Sequence, residues 1–92
     1  MKYRLKRTGQ FKKSFKLAVK RGKDPHLLFQ AIEILANEGH LPSKYLPHIL
    51  KGTYDGIWEC HIEPDWLLLW QQNDQDLVLI LTDTGTHSDL FK

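Results

Sequence analysis

Residues 57–70 read Ile-Trp-Glu-Cys-His-Ile-Glu-Pro-Asp-Trp-Leu-Leu-Leu-Trp. Trp58, Cys60 and Ile62 alternate with Ile57, Glu59 and His61, the period of a strand, which places Glu59 and His61 together on one face. Pro64 supplies a bend, and the run from Asp65 to Gln71 reads as a second strand. Its unbroken Leu67-Leu68-Leu69-Trp70 implies a strand covered on both faces or nearly so. Titratable groups, His61, Glu63 and Asp65, therefore crowd a point where two strands turn.

Working outward, Gln72 to Gln75 is a polar turn and Asp76 to Leu81 a third strand. The last segment, Thr82 to Lys92, carries Gly85 and His87 in a turn and finishes with Leu90-Phe91. On the other side, Tyr54-Asp55-Gly56 is a turn signal. From His40 to Tyr54, Pro42, Pro47 and Gly52 interrupt any regular period, so a long surface connection is expected, with His48 inside it.

The N-terminal part has a different pattern. Residues 2 to 6 alternate, placing Tyr3 and Leu5 on one face of a short first strand. Thr8 can cap a helix beginning near Gln10, with Phe11, Phe15, Ala18 and Val19 toward the core and Lys12, Lys16, Lys20 and Lys23 on another side. Asp24-Pro25 is a strong start signal for a second helix, whose stripe is Leu28, Ala31, Ile32 and Leu35 and whose stop lies at Asn37 to Gly39. The expected architecture is one α+β domain over residues 1–92, a small antiparallel sheet of four or five strands. A two-helix hairpin lies on one face and the histidines lie toward the other.

A chain of 92 residues with 41% hydrophobic content has room for a single core. One cysteine, Cys60, excludes an internal disulfide and any multi-cysteine zinc site. Strand alternation turns Cys60 away from His61, so burial is expected rather than a thiol nucleophile. The charged first residues lack the apolar core of a signal peptide, and no run approaches the roughly 20 residues that span a bilayer. A cytoplasmic protein without a membrane partner is expected. The net charge of +2 conceals an asymmetry: residues 1–23 hold ten of the thirteen Lys and Arg and no acidic residue, and the remainder holds all eleven acidic residues. That asymmetry suggests a polyanionic partner, RNA or an acidic protein segment, which Lys12, Lys16 and Lys20 would meet.

Histidines beside carboxylates suit proton transfer near neutral pH. Metal-free RNA cleavage needs such a set. A base takes the ribose 2′-hydroxyl proton, the oxygen attacks the adjacent phosphate, and an acid protonates the departing 5′ oxygen. His48, His61 and His87 can supply base, acid and phosphate contact, with Glu59 or Asp65 orienting an imidazole; the spacing assigns none of these roles individually. No pair has the helical spacing of H-E-x-x-H, so no metal is expected. Trp58, Trp66 and Trp70 read as core. Phe91, near the end of the chain, has little local cover and can reach a nucleobase; docking on the sheet is its other reading.

The elements Leu-Pro-His-Ile-Leu-Lys-Gly (46–52), Glu-Cys-His-Ile-Glu-Pro-Asp-Trp (59–66) and Thr-Gly-Thr-His-Ser-Asp-Leu-Phe (84–91), following a basic strand and two helices, resemble the YafQ branch of the RelE toxins. The resemblance runs over essentially the whole chain and implies a bacterial type II toxin, an endoribonuclease that cuts mRNA in the ribosomal A site during translation, without a cofactor. It implies His48, His61, Asp65 and His87 as catalytic residues, with Phe91 and Glu59 on the substrate side. Glu59 stands where relatives often carry aspartate. The implied partners are a cognate antitoxin with an acidic wrapping segment, the ribosome and its mRNA, and operator DNA only through the antitoxin. A free-RNA nuclease and a binding module without catalysis are the alternatives.

Overall fold

In the computed structural model, which describes residues 1–91, Thr8 and Asp24 open two helices as N-caps. The Thr8 hydroxyl accepts the Phe11 N–H at 3.0 Å ahead of α1 (Gly9–Lys20), and Asp24 accepts the His26 N–H at 3.0 Å ahead of α2 (Pro25–Glu38). Gly39 ends α2 with φ 77°, a left-handed conformation that favours glycine, and a Cβ there would stand 2.7 Å from the Tyr3 hydroxyl oxygen. The hairpin and the capping match the expectation.

The strands are β1 (Arg4–Arg7), β2 (His48–Ile49), β3 (Trp58–Glu63), β4 (Trp66–Asn73) and β5 (Val78–Gly85), arranged in one sheet in the order β1-β5-β4-β3-β2. Neighbours are antiparallel except β1, which runs parallel to β5 with Leu5 opposite Leu79. The sheet is therefore mixed rather than purely antiparallel. Alternation determines which side chains share a face but not the direction of a distant partner, and the two-helix crossover following β1 leaves room for either.

The helices cover one face, α1 against β5 and α2 against β3. Phe11, Ala18, Leu28, Ala31, Ile32 and Leu35 meet Cys60, Trp66, Leu68, Trp70, Leu79 and Leu81 in the core. Trp58 stacks on Trp70, ring centroids 5.8 Å apart. Burying an indole requires a partner for its N–H; Trp66 Nε1 donates to Thr84 Oγ1 at 2.9 Å, and that hydroxyl donates to Leu67 O at 2.6 Å. Truncating one buried leucine of β4 to alanine costs about 2–5 kcal/mol. Leu67 and Leu69, on the opposite face of β4, are also buried, as their unbroken apolar run predicts.

Four local features depart from the sequence reading. Val19 is 43% exposed, because α1 presents Phe11, Phe15 and Ala18 to the core and Val19 is turned about 100° from Ala18. The first strand begins at Arg4 instead of residue 2; Tyr3 is buried ahead of it, with its N–H donating to Ala36 O. The 40–54 connection contains β2 and two 3-10 turns, Ser43–Tyr45 and Gly52–Tyr54. The last segment is not only a turn: β5 continues to Gly85, and a short helix, α3 (His87–Leu90), follows Thr86. Lys92 lies outside the described residues. No helix among those described is long and apolar enough to cross a membrane.

Candidate active site

The register of β2 on β3 builds the first half of the site. His48 pairs with Glu59 across β2 and β3, and residues opposite each other in a sheet share a face. Glu59 and His61, two apart on β3, share it as well. The Glu59 carboxylate thus lies between two imidazoles, with Oε1 3.2 Å from His48 Nε2 and 3.9 Å from His61 Nε2. The other nitrogen of each ring also faces an acceptor: His48 Nδ1 is 3.0 Å from Leu46 O, and His61 Nδ1 is 3.3 Å from Pro64 O. These contacts fix the orientation of both rings, His48 between Leu46 O and Glu59, and His61 between Pro64 O and the more distant Glu59 carboxylate.

His87 enters from another element. It is the first residue of α3, and Asp65 in the β3–β4 turn receives both its backbone N–H, at 2.9 Å, and its Nδ1–H, at 2.6 Å. These bonds hold the Asp65 carboxyl below its usual range, the backbone N–H being the larger cause. With Nδ1 engaged, His87 Nε2 is the nitrogen left for proton transfer. The His87 and His61 ring centroids are 5.7 Å apart. One site therefore holds three imidazoles, each backed by a carboxylate.

The turn carrying His87 is itself tied down. Thr86 and Asp89 form a capping box, and Asp89 Oδ2 accepts the Thr86 N–H at 3.0 Å and Arg21 Nη1 at 2.7 Å. Arg21 and Asp89 escaped the sequence reading. The Thr86-x-x-Asp89 spacing was a signal for the cap, whereas Arg21, 68 residues earlier, had none.

Phe91 closes the same end. Its ring lies 6.5 Å from that of His87 and meets Tyr54 edge-on at 5.3 Å, while Tyr54 Oη donates to Leu90 O at 3.3 Å. Tyr54, read only as a turn residue, thus supports the aromatic expected to reach a base. Glu59 differs from the placement that the resemblance implied: it is 5% exposed, behind the histidines, where it can orient them but not meet a substrate. The reason is its position in the β3 ladder, covered on both sides. Cys60 is fully buried, and burial pushes its thiol up to about 12, which removes it as a nucleophile. Lys12, Lys16 and Lys20 are exposed on α1, and none enters an ion pair among the described residues.

Residues 3–92 match the family described as bacterial toxin of type II toxin-antitoxin system, YafQ. The chain belongs to the YafQ toxin family. It is 40% identical over 85 residues to the mRNA interferase toxin YafQ of Escherichia coli K12, covering 91% of this chain and 90% of that one. Its fold matches the toxin in the crystal structure of the E. coli DinJ–YafQ complex with a TM-score of 0.88 at 37% identity, over 98% of this chain and 99% of that chain. A metal-bound toxin from Helicobacter pylori matches with a TM-score of 0.87 at 40% identity, over 99% of this chain and all of that one. In this YafQ-family chain, no group of three or more His, Cys, Asp or Glu among the described residues is arranged to hold a metal ion. The α+β fold expected from the sequence is the fold of these relatives.

Proposed function

We propose that this chain is an endoribonuclease that cleaves mRNA in the ribosomal A site, with His48, His61, Asp65 and His87 as its catalytic residues. The observation that carries the reading is the convergence of three imidazoles from β2, β3 and α3, two of them on Glu59 and one on Asp65. The activity named for the E. coli relative supports it.

His61 and His87, with ring centroids 5.7 Å apart, are close enough to act on one phosphate. One imidazole takes the 2′-hydroxyl proton as that oxygen bonds to phosphorus; the other gives a proton to the 5′ oxygen as its bond to phosphorus breaks. The products are a 2′,3′-cyclic phosphate and a 5′-hydroxyl. His48, held by Glu59 at 3.2 Å, contacts the phosphate as the phosphorane develops. Asp65 fixes the His87 tautomer, and Glu59 orients the other two rings. Phe91 stacks on an adjacent base. These side chains suffice for the transfer without a cofactor.

The partners that follow are a cognate antitoxin, as DinJ is for the E. coli relative, and the ribosome with its mRNA; operator DNA is reached only through the antitoxin. The α1 lysines meet rRNA phosphates or an acidic antitoxin arm, and the toxin acts in the cytoplasm. The test adds purified protein to a defined mRNA with and without programmed ribosomes, EDTA being present in the ribosome-free arm, and maps new 5′ ends. Cuts only with ribosomes, at fixed codon positions and bearing 5′-hydroxyls, are expected. Cuts on free RNA in EDTA would instead mark a general nuclease. Inhibited translation without cuts, retained after His87→Ala, would mark a binding module.

A further inference from the structure

Extending away from catalytic His61 lies a groove walled by the 3-10 turn Ser43–Tyr45 and the end of β3. Two cavities, of about 180 and 390 Å³, open there, and Lys44, His61 and Ile62 border both. Leu46, Glu63 and Pro64 complete the larger one. A ligand in this groove touches His61.

The unpaired charge in the groove is positive. Glu63 is engaged by Lys23 at 3.3 Å, whereas Lys44 enters none of the ion pairs among the described residues. The Lys44 ammonium is held 5.2 Å above the ring of buried Tyr45. Leu46 adds a second feature. Its φ of 50° is left-handed, rare for a branched apolar residue, and it is 59% exposed. Its carbonyl faces His48 Nδ1 at 3.0 Å, so the turn that sets His48 also holds an apolar side chain at the rim of the groove. A free cation beside an apolar wall suits a nucleotide, with phosphate on the ammonium and ribose or base on the apolar side.

We infer that the groove is a subsite for the RNA nucleotide next to the cut, with Lys44 contacting its phosphate and Leu46, Ile62 and Pro64 lining its ribose or base. This rests on the endoribonuclease reading and extends it by one nucleotide. Lys44 binds rather than transfers a proton, so its loss acts on affinity.

The test compares wild type with Lys44→Ala and Lys44→Arg, using a short 2′-O-methyl RNA that cannot be cleaved and, separately, the ribosome cleavage assay. Lys44 is exposed, so thermal melts of the variants should coincide with wild type. Lys44→Ala is expected to weaken RNA binding about 10-fold and to lower the slope of log affinity against log salt by about 0.7, the share of one phosphate on single-stranded RNA. Lys44→Arg should restore affinity to within about 2-fold, since both side chains bind phosphate. In the cleavage assay KM should rise with kcat nearly unchanged. Wild-type affinity and slope in Lys44→Ala overturn the subsite, whether or not that variant has lost affinity for an antitoxin. If wild type cleaves and Lys44→Ala cleaves identically, only the subsite falls; if wild type cuts nothing, the endoribonuclease reading falls with it.

Discussion

His87 Nδ1 lies 2.6 Å from Asp65 Oδ1, and the same oxygen accepts the His87 backbone N–H at 2.9 Å. One carboxylate thereby fixes both the position and the tautomer of the imidazole. Asp65→Asn keeps the shape but offers an amide where a carboxylate stabilised the imidazolium, so single-turnover cleavage should fall by about 10²–10⁴-fold. Asp65 is exposed, so the fold should persist, as a melt of the purified variant will show. Wild-type cleavage by Asp65→Asn would remove the pair from the mechanism.

Glu59 poses a test of reach. Its carboxylate is 3.2 Å from His48 Nε2, and shortening it by one methylene in Glu59→Asp withdraws the oxygen by more than 1 Å. A misplacement of that size is expected to lower kcat about 10–100-fold with little change in KM. Glu59→Gln, which keeps the length and loses the charge, separates distance from electrostatics. Unchanged kcat in both variants would leave Glu59 a packing residue.

Arg21 and Asp89 lend the C-terminal turn an acid-sensitive tie. The Asp89 carboxyl is pushed down to about 2, chiefly by the Arg21 guanidinium and then by the Thr86 N–H. A folded-state pKa below the unfolded one gives stability that is present above about pH 4 and is lost as pH falls toward 2. Asp65, lowered by its His87 bonds, adds in the same direction. Arg21→Ala should cost about 1 kcal/mol or less in urea melts at pH 6, since the pair is partly exposed and water-screened. The difference from wild type should shrink below pH 3; a constant difference would exclude the ion pair as its cause.

What could be read from the chain followed local periodicity. Alternation from Trp58 to Ile62 put Glu59 and His61 on one face and Cys60 on the other, and the apolar run after Trp66 implied a strand buried on both faces; the structure has both. Thr8, Asp24 and Gly39 marked helix ends through the chemistry of caps. Features set by partners distant in sequence were hidden. Two-residue β2 exists because His48 and Ile49 pair with Glu59 and Trp58, and the direction of β1 depends on β5. Four-residue α3 is too short to nucleate alone and relies on its capping box and Arg21. Tyr54 beside Phe91 and Lys44 beside His61 are through-space neighbours with no spacing rule to announce them.

The exposed lysine row of α1 joins the charge asymmetry of the chain to its setting. Lys12, Lys16 and Lys20 recur every four residues and so project along one side of the helix, free of ion pairs among the described residues. Three phosphate contacts from such a row would make ribosome binding weaken about 20-fold between 0.1 and 0.3 M salt. The combined change of all three to Glu reverses the local field and should weaken ribosome or antitoxin binding by at least about 10-fold, while the circular dichroism spectrum stays that of wild type. Testing both partners identifies which polyanion the row serves: loss of cleavage with antitoxin affinity intact assigns it to rRNA, and the converse assigns it to the antitoxin arm. Unchanged affinity for both would leave the row a solvated face and move the contact surface elsewhere on the molecule.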